Sequence, residues 1–417
     1  MSRIFDSVHG PLASLVLVTW LLWSCPVPLK AQAAPSADPA PLVIILTRAE
    51  KGDVPGAERL MRDNLPVTKR RLEETLTQFD QKFDDLGRAG ATSGRDVHAE
   101  IIEKLLDEVR RYEKLFDIYR RVTGDEIPLK RLEARILRFE GAYYTTFGED
   151  ACGKDLNWAE AQKRYTTAME RLQAGFDLAK EVNDLRVMAS AKNNMGSTLI
   201  RLIEPEKAIQ AYEEGMRYAN QLPGEMYKGL VNLNLGNTYV WIGQPETSLR
   251  FSESALASFK KMGRGTWQAN AQMNIGNAYI REQKFSSAWE SLRVALELAK
   301  QSGEDRVRGR ALLNLGMAAF ELKKPEAAAL IREGLAWYAK EGVDVYPNIE
   351  REAVRQDGLL LLARIAKANG NEAEETKYHK QFLEALGPDP DRYGTLRASP
   401  CFVIYQARPT REKPIRP

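Results

Sequence analysis

An Asn-x-Gly triplet returns at a fixed interval in this chain, and that interval limits the folds open to it. Asn194-Met195-Gly196 is followed by Asn234-Leu235-Gly236, Asn274-Ile275-Gly276 and Asn314-Leu315-Gly316, each forty residues after the last. Self-similarity at a period of this size belongs to arrays of stacked supersecondary units. Other positions keep the same register: Ala208, Ser248, Ala288 and Ala328 are all small, and Leu199, Tyr239, Tyr279 and Ala319 are mostly large. Pro205, Gly243-Gln244-Pro245 and Pro325 fall between the halves of each unit, so each unit reads as two helices joined by a short turn. A glycine inside a helix costs about 1 kcal/mol. Four at one column therefore imply a close backbone approach repeated in every unit. One helix pair cannot bury its apolar face alone, so such pairs stack.

The segments Asn-Leu-Gly-Asn-Thr-Tyr (Asn234 to Tyr239) and Asn-Ile-Gly-Asn-Ala-Tyr (Asn274 to Tyr279), with the small residue on the second helix, resemble the tetratricopeptide repeat family. The forty-residue period is similar to its long-repeat subclass, which includes spindle-orientation adaptors and repeat regions associated with bacterial CHAT peptidases. The resemblance is strong over 185–342. It implies an all-α, right-handed α-solenoid of helix pairs that binds another protein and does not catalyse a reaction. Phe139 to Tyr144 and Thr166 to Glu181 read as a degenerate upstream unit whose lengthened connection carries Cys152. Leu362 to Asn371, then Glu372 to Leu386, read as a degenerate downstream unit. The expected organisation is a signal peptide at 1–33, a linker at 34–42, an N-terminal helical region at 43–128, the repeat array at 129–386 and a proline-rich tail at 387–417. Within 43–128, Gly87 to Gly94 reads as a loop.

Leu12 to Trp23 form an apolar run after Arg3, and Ala31-Gln32-Ala33 gives the small-x-small pattern of a cleavage site. The chain is therefore expected to be exported, periplasmic or secreted, with lipid anchoring at Cys25 as the alternative. The apolar run is too short to span a bilayer as a helix of the mature chain. Cleavage leaves Cys152 and Cys401, which read as two unrelated thiols, one disulfide being the alternative. Within the tail, Cys401 to Tyr405 form a short apolar run among prolines and basic residues.

With 60 Lys and Arg against 57 Asp and Glu, the formal net charge is +3, which argues against nucleic-acid binding through bulk charge. His9, His98 and His379 are the only histidines, and none has Cys or His at metal-ligand spacing. No phosphate loop, nucleophile elbow or His-Glu-x-x-His motif occurs. No catalytic, cofactor or metal set is expected.

The remaining constellation is the asparagine column, Asn194, Asn234, Asn274 and Asn314. In the family that it resembles, first helices line the concave face and matching asparagines contact extended ligands. Each amide offers donors and an acceptor to a peptide backbone. The alternative is that each asparagine bonds to the adjacent unit and only ties the stack. Asn237 and Asn277 lie one turn further along, and Arg201, Trp241 and Arg281 two turns along, with Arg310 one turn before Asn314. Arg and Trp are frequent interface anchors, and the arginines suggest acidic or C-terminal carboxylate ligands. Amide contacts at roughly 0.5–1.5 kcal/mol each, less the cost of ordering a peptide, give an affinity near micromolar. The expected partner is a protein or peptide, with self-association through 43–128 as a further use of the N-terminal helices.

Overall fold

The forty-residue alternation is realised as sixteen consecutive helices in a computed structural model of the chain that describes residues 40–92, 95–155, 157–303, 305–339 and 348–386. They are α1 (Ala40–Glu50), α2 (Val54–Asp63), α3 (Leu65–Thr92), α4 (Arg95–Thr123), α5 (Ile127–Asp155), α6 (Trp158–Glu181), α7 (Leu185–Arg201), α8 (Pro205–Ala219), α9 (Met226–Trp241), α10 (Pro245–Lys261), α11 (Gly265–Arg281), α12 (Phe285–Ser302), α13 (Asp305–Glu321), α14 (Ala327–Ala339), α15 (Asn348–Ala368) and α16 (Glu372–Leu386). No strand occurs among the described residues. The signal peptide with Cys25, most of the linker and the tail with Cys401 lie outside the described residues.

Local chemistry sets the helix starts. Asp53, Asn157 and Asp184 cap α2, α6 and α7 by accepting the N–H groups of Gly56, Glu160 and Val187. Pro205 and Pro245 open α8 and α10, where a missing N–H costs nothing. Two expectations are corrected. The part of the expected Gly87 to Gly94 loop that the structure describes, 87–92, is helical, because α3 continues to Thr92; a 28-residue helix absorbs two glycines at about 1 kcal/mol each. The lengthened connection around Cys152 is also helical, since α5 runs 29 residues to Asp155. Cys152 points inward, fully buried, and is disulfide-bonded, so it is not an isolated thiol.

The turn after each first helix places one residue in the left-handed region, and these residues again lie forty apart: Ile203 (φ 63°), Gly243 (φ 81°), Gln283 (φ 60°) and Lys323 (φ 55°). Only Gly243 adopts this conformation without a Cβ penalty, which for other residues is roughly 1–2 kcal/mol. Gln283 and Lys323 are exposed and lose little packing on truncation. Gln283→Gly and Lys323→Gly are each expected to stabilise by up to about 1 kcal/mol, part of the relief being offset by the looser unfolded chain. Chemical denaturation measures this; a fall in stability for both variants would refute the account of the turn.

The glycine column does what its repetition implies. A Cβ on Gly196 would lie 2.5 Å from the Tyr212 ring, one on Gly276 2.6 Å from Leu292, and one on Gly316 2.5 Å from Ile331; on Gly236 it would run into Ser252. In each unit the first helix thus presses its backbone against a residue fifteen or sixteen positions later on the second helix. First helices of successive units also touch one another, α5 to α7, α7 to α9, α9 to α11, α11 to α13 and α13 to α15. The corresponding second-helix pairs do so marginally at most. The array therefore curves with the first helices inside.

That curvature closes. Helix α15 meets α5, where Ala353 packs with Ala151, Cys152, Ala161 and Tyr165, and α3 reaches across to α13. At the other end, Ile45, Met61, Leu72, Phe79, Val109 and Phe116 of α1 to α4 share one core with Leu132, Ile136 and Phe139 of α5. A buried ionic network reinforces this junction. Asp80 accepts from Arg135 (2.8 and 3.1 Å) and Arg138 (3.2 Å), and Arg135 also reaches Asp184 at 2.7 Å. The rings of Phe83 and Phe139 stack on each other with centroids 4.0 Å apart, and the Arg138 guanidinium lies beside both, 4.7 and 4.5 Å from their centroids.

Candidate peptide-binding groove

The asparagine column lies on α7, α9, α11 and α13, the helices that line the inner side of the curve. Each side chain faces the preceding unit. Asn234 Nδ2 donates to Asn193 Oδ1 at 2.9 Å, Asn274 Nδ2 to the Leu233 carbonyl at 3.1 Å, and Asn314 Nδ2 to Asn277 Oδ1 at 2.7 Å. These bonds tie successive first helices together across the interval at which the amides recur. Asn194, first in the column, has no counterpart of this kind: its Nδ2 is buried with no hydrogen-bond partner among the described residues. Asn274 is itself buried, whereas Asn194, Asn234 and Asn314 are half-buried. An amide has two N–H donors and a carbonyl, so one bond within the stack leaves capacity for a ligand.

The outer row of candidates divides by chemistry. Arg201 is committed to Glu149 of α5 through a close ion pair, and donates to the Ser197 carbonyl at 2.9 Å. Trp241 ends α9, half-buried; Asn237 is exposed one turn before it. Asn277 is half-buried and accepts from Asn314. Arg310 is half-buried on α13. Arg281 differs from all of these. It ends α11, is half-buried, and its Nε is inaccessible to solvent and unbonded. No carboxylate faces it among the described residues, and desolvation lowers its pKa from the usual arginine value with no opposing charge to restore it. Buried guanidinium groups are normally paired, because an uncompensated charge is costly to desolvate.

Two partners were not apparent from the column itself. Asn193 shares its column with the apolar Leu233, Met273 and Leu313, and Glu149 lies 52 residues before Arg201, off the forty-residue register. Among the described residues there is no group of three His, Cys, Asp or Glu placed to hold a metal ion, and no helix long and apolar enough to cross a membrane.

Known structures were compared with this architecture. The chain matches the signal-transduction ATPase with a tetratricopeptide repeat sensor from Pyrococcus horikoshii over 84% of its length and 54% of that protein, at 15% identity and a TM-score of 0.52. The two share the fold of a solenoid of stacked helix pairs. The pilus biogenesis factor PilW is matched over 61% of this chain and 97% of that one, at 17% identity and a TM-score of 0.44. The anaphase-promoting complex pair Cut9–Hcn1 is matched over 87% and 62%, at 15% identity and a TM-score of 0.46. At these identities the likeness concerns the fold alone. No protein-family profile matches the chain. No curated protein matches it either.

Proposed function

We propose that the chain is an exported adaptor that binds an extended, acidic peptide segment of a partner protein along the inner face of its array. The observation that carries this reading is Arg281, a half-buried cation without a carboxylate among the described residues. In this reading the guanidinium takes an Asp, Glu or C-terminal carboxylate of the ligand through charge-assisted hydrogen bonds. Asn194 supplies a donor, and the spare amide capacity of Asn234, Asn274 and Asn314 holds the ligand backbone. Asn237, Asn277, Arg201 and Arg310 border the same path, with Trp241 as its apolar anchor. An extended segment suits a continuous inner face built from successive first helices. Export is supported by the leader-like 1–33 segment and by the disulfide at Cys152, because such bonds persist in oxidising compartments.

Selection from a random peptide library displayed on phage, with the full chain as bait, tests the reading. Peptides enriched in Asp and Glu are expected. Arg281→Gln should weaken the best of them about tenfold or more, since hydrogen bonds to a charged group contribute roughly 1.5–3 kcal/mol. Asn194→Ala should weaken the same peptides with little change in melting temperature. Asn274→Ala should lower the melting temperature as well, because its amide is bonded to Leu233. Selection of peptides without acidic enrichment, or equal binding by Arg281→Gln, would sink the proposal.

A further inference from the structure

Cys152 is fully buried and disulfide-bonded, and the chain has only two other cysteines, Cys25 and Cys401, both outside the described residues. A disulfide holds its two Cα atoms roughly 4.4–6.8 Å apart. The partner sulfur must therefore be carried into the junction where α5 meets α15. A second copy cannot offer its own Cys152 there, since both sulfurs would be enclosed. The C-terminal end of the chain arrives at this place. Ala353 of α15 packs in the Cys152 cluster, and Arg351, Glu352 and Arg355 from the same turns line a cleft of about 590 Å³ together with Leu335, Tyr338 and Leu359. Ala385, next to the last described residue, borders that cleft as well.

We infer that Cys152 is bonded to Cys401, and that the tail from residue 387 onward lies in the cleft between α14, α15 and α16 and straps the last unit of the array to α5. Chain length permits it: the fourteen residues 387–400 reach up to about 46–50 Å when extended, and cleft and junction share one stretch of α15. Charge fits, since Asp389 and Asp391 would pass Arg351 and Arg355. Apolar surface fits too. The bond would bring Phe402, Val403, Ile404 and Tyr405 beside Trp158 and Leu202, which are only partly covered where they pack against the Cys152 cluster. This bond closes the longer of the two loops open to Cys152, and a longer closed loop restricts the unfolded chain more.

Formation of the bond is a thiol–disulfide exchange with a disulfide-bearing oxidant of the exporting compartment. The Cys401 thiolate attacks the oxidant's disulfide and releases one of its sulfurs as a thiol. The Cys152 thiolate then attacks the mixed disulfide at the Cys401 sulfur and releases the second. Two electrons and two protons pass from the cysteine pair to the oxidant, which ends as a dithiol.

Tryptic mapping of the unreduced full chain, alkylated during denaturation, tests the pairing. The expected product is peptide Phe139–Lys154 joined to Ala398–Arg411, separating into its halves on reduction. Cys152 joined to a peptide carrying Cys25, or both Cys152 and Cys401 recovered alkylated, would overturn it. A second measurement tests the docking. Under native conditions, trypsin should cut after Arg392 and Arg397 at least tenfold more slowly in the oxidised wild type than in Cys401→Ser. Equal rates would show that the tail does not lie in the cleft.

Discussion

Asp80→Ala is expected to destabilise the junction between α1–α4 and the array by about 3–5 kcal/mol, the cost of leaving buried charge uncompensated. Asp80 is buried, as are both arginines that it serves; its removal leaves Arg138 without a carboxylate and Arg135 with Asp184 alone. The array past α7 has its own cores, such as those around Leu292 and Leu315 or Leu359 and Leu362, so the damage should be local. Hydrogen exchange would show protection lost in α1 to α4 and retained in α9 to α12. Unchanged exchange in α1 to α4 would mean that the network is not what fastens them. The triple variant Asp80→Leu, Arg135→Met, Arg138→Met should recover much of the loss, because replacing a buried ionic cluster by apolar side chains is often close to neutral.

The same network makes the junction sensitive to acid. Burial by itself would raise the pKa of Asp184, but the charge of Arg135 and its hydrogen bond, with the Val187 N–H, outweigh burial and hold it below the usual aspartate value. A carboxyl whose folded pKa is depressed contributes stability above its unfolded pKa, near 3.9, and that contribution is lost as pH falls through the folded value. The hold of α5 on α7 at this junction should therefore weaken below about pH 4. The weakening should not appear on the alkaline side near neutrality.

Gly276→Val is expected to destabilise the array by about 1–3 kcal/mol, and Gly236→Val by a similar amount, through overpacking between the helices of one unit. At Gly276 the first added carbon falls 2.6 Å from Leu292 Cγ, part of a fully buried side chain. At Gly236 the added carbon meets Ser252, whose backbone nitrogen is 3.2 Å away and less able to move than a side chain. Ser254→Ala on the exposed side of α10 serves as the reference and should stay within about 0.5 kcal/mol of wild type. Denaturant unfolding gives the comparison. If both valine variants match the reference, the close approach at the column is wrong.

Much of this architecture was legible without coordinates. The glycines at 196, 236, 276 and 316 repeat because each answers a contact made within one unit, at fifteen or sixteen residues' distance. Identical local contacts imprint identical columns, and a period is visible in one sequence. The asparagine column was equally visible. Its partners were not, since Asn193, Leu233 and Asn277 are defined by the offset between neighbouring units and not by any property of their own.

What the sequence by itself determined is the repeating helix pair, its close-packed seam and the inward register of Asn194 to Arg281. Tertiary structure alone decided that α15 returns to α5, that α3 crosses to α13, and that Asp80 is held by Arg135 and Arg138. It also decided that Arg201 is paired with Glu149 while Arg281 has no carboxylate among the described residues. The physical reason is that closure results from a small rotation added at every unit. No single column encodes the sum, and the residues that meet when the turn completes are single positions outside the repeat, with no period to betray them.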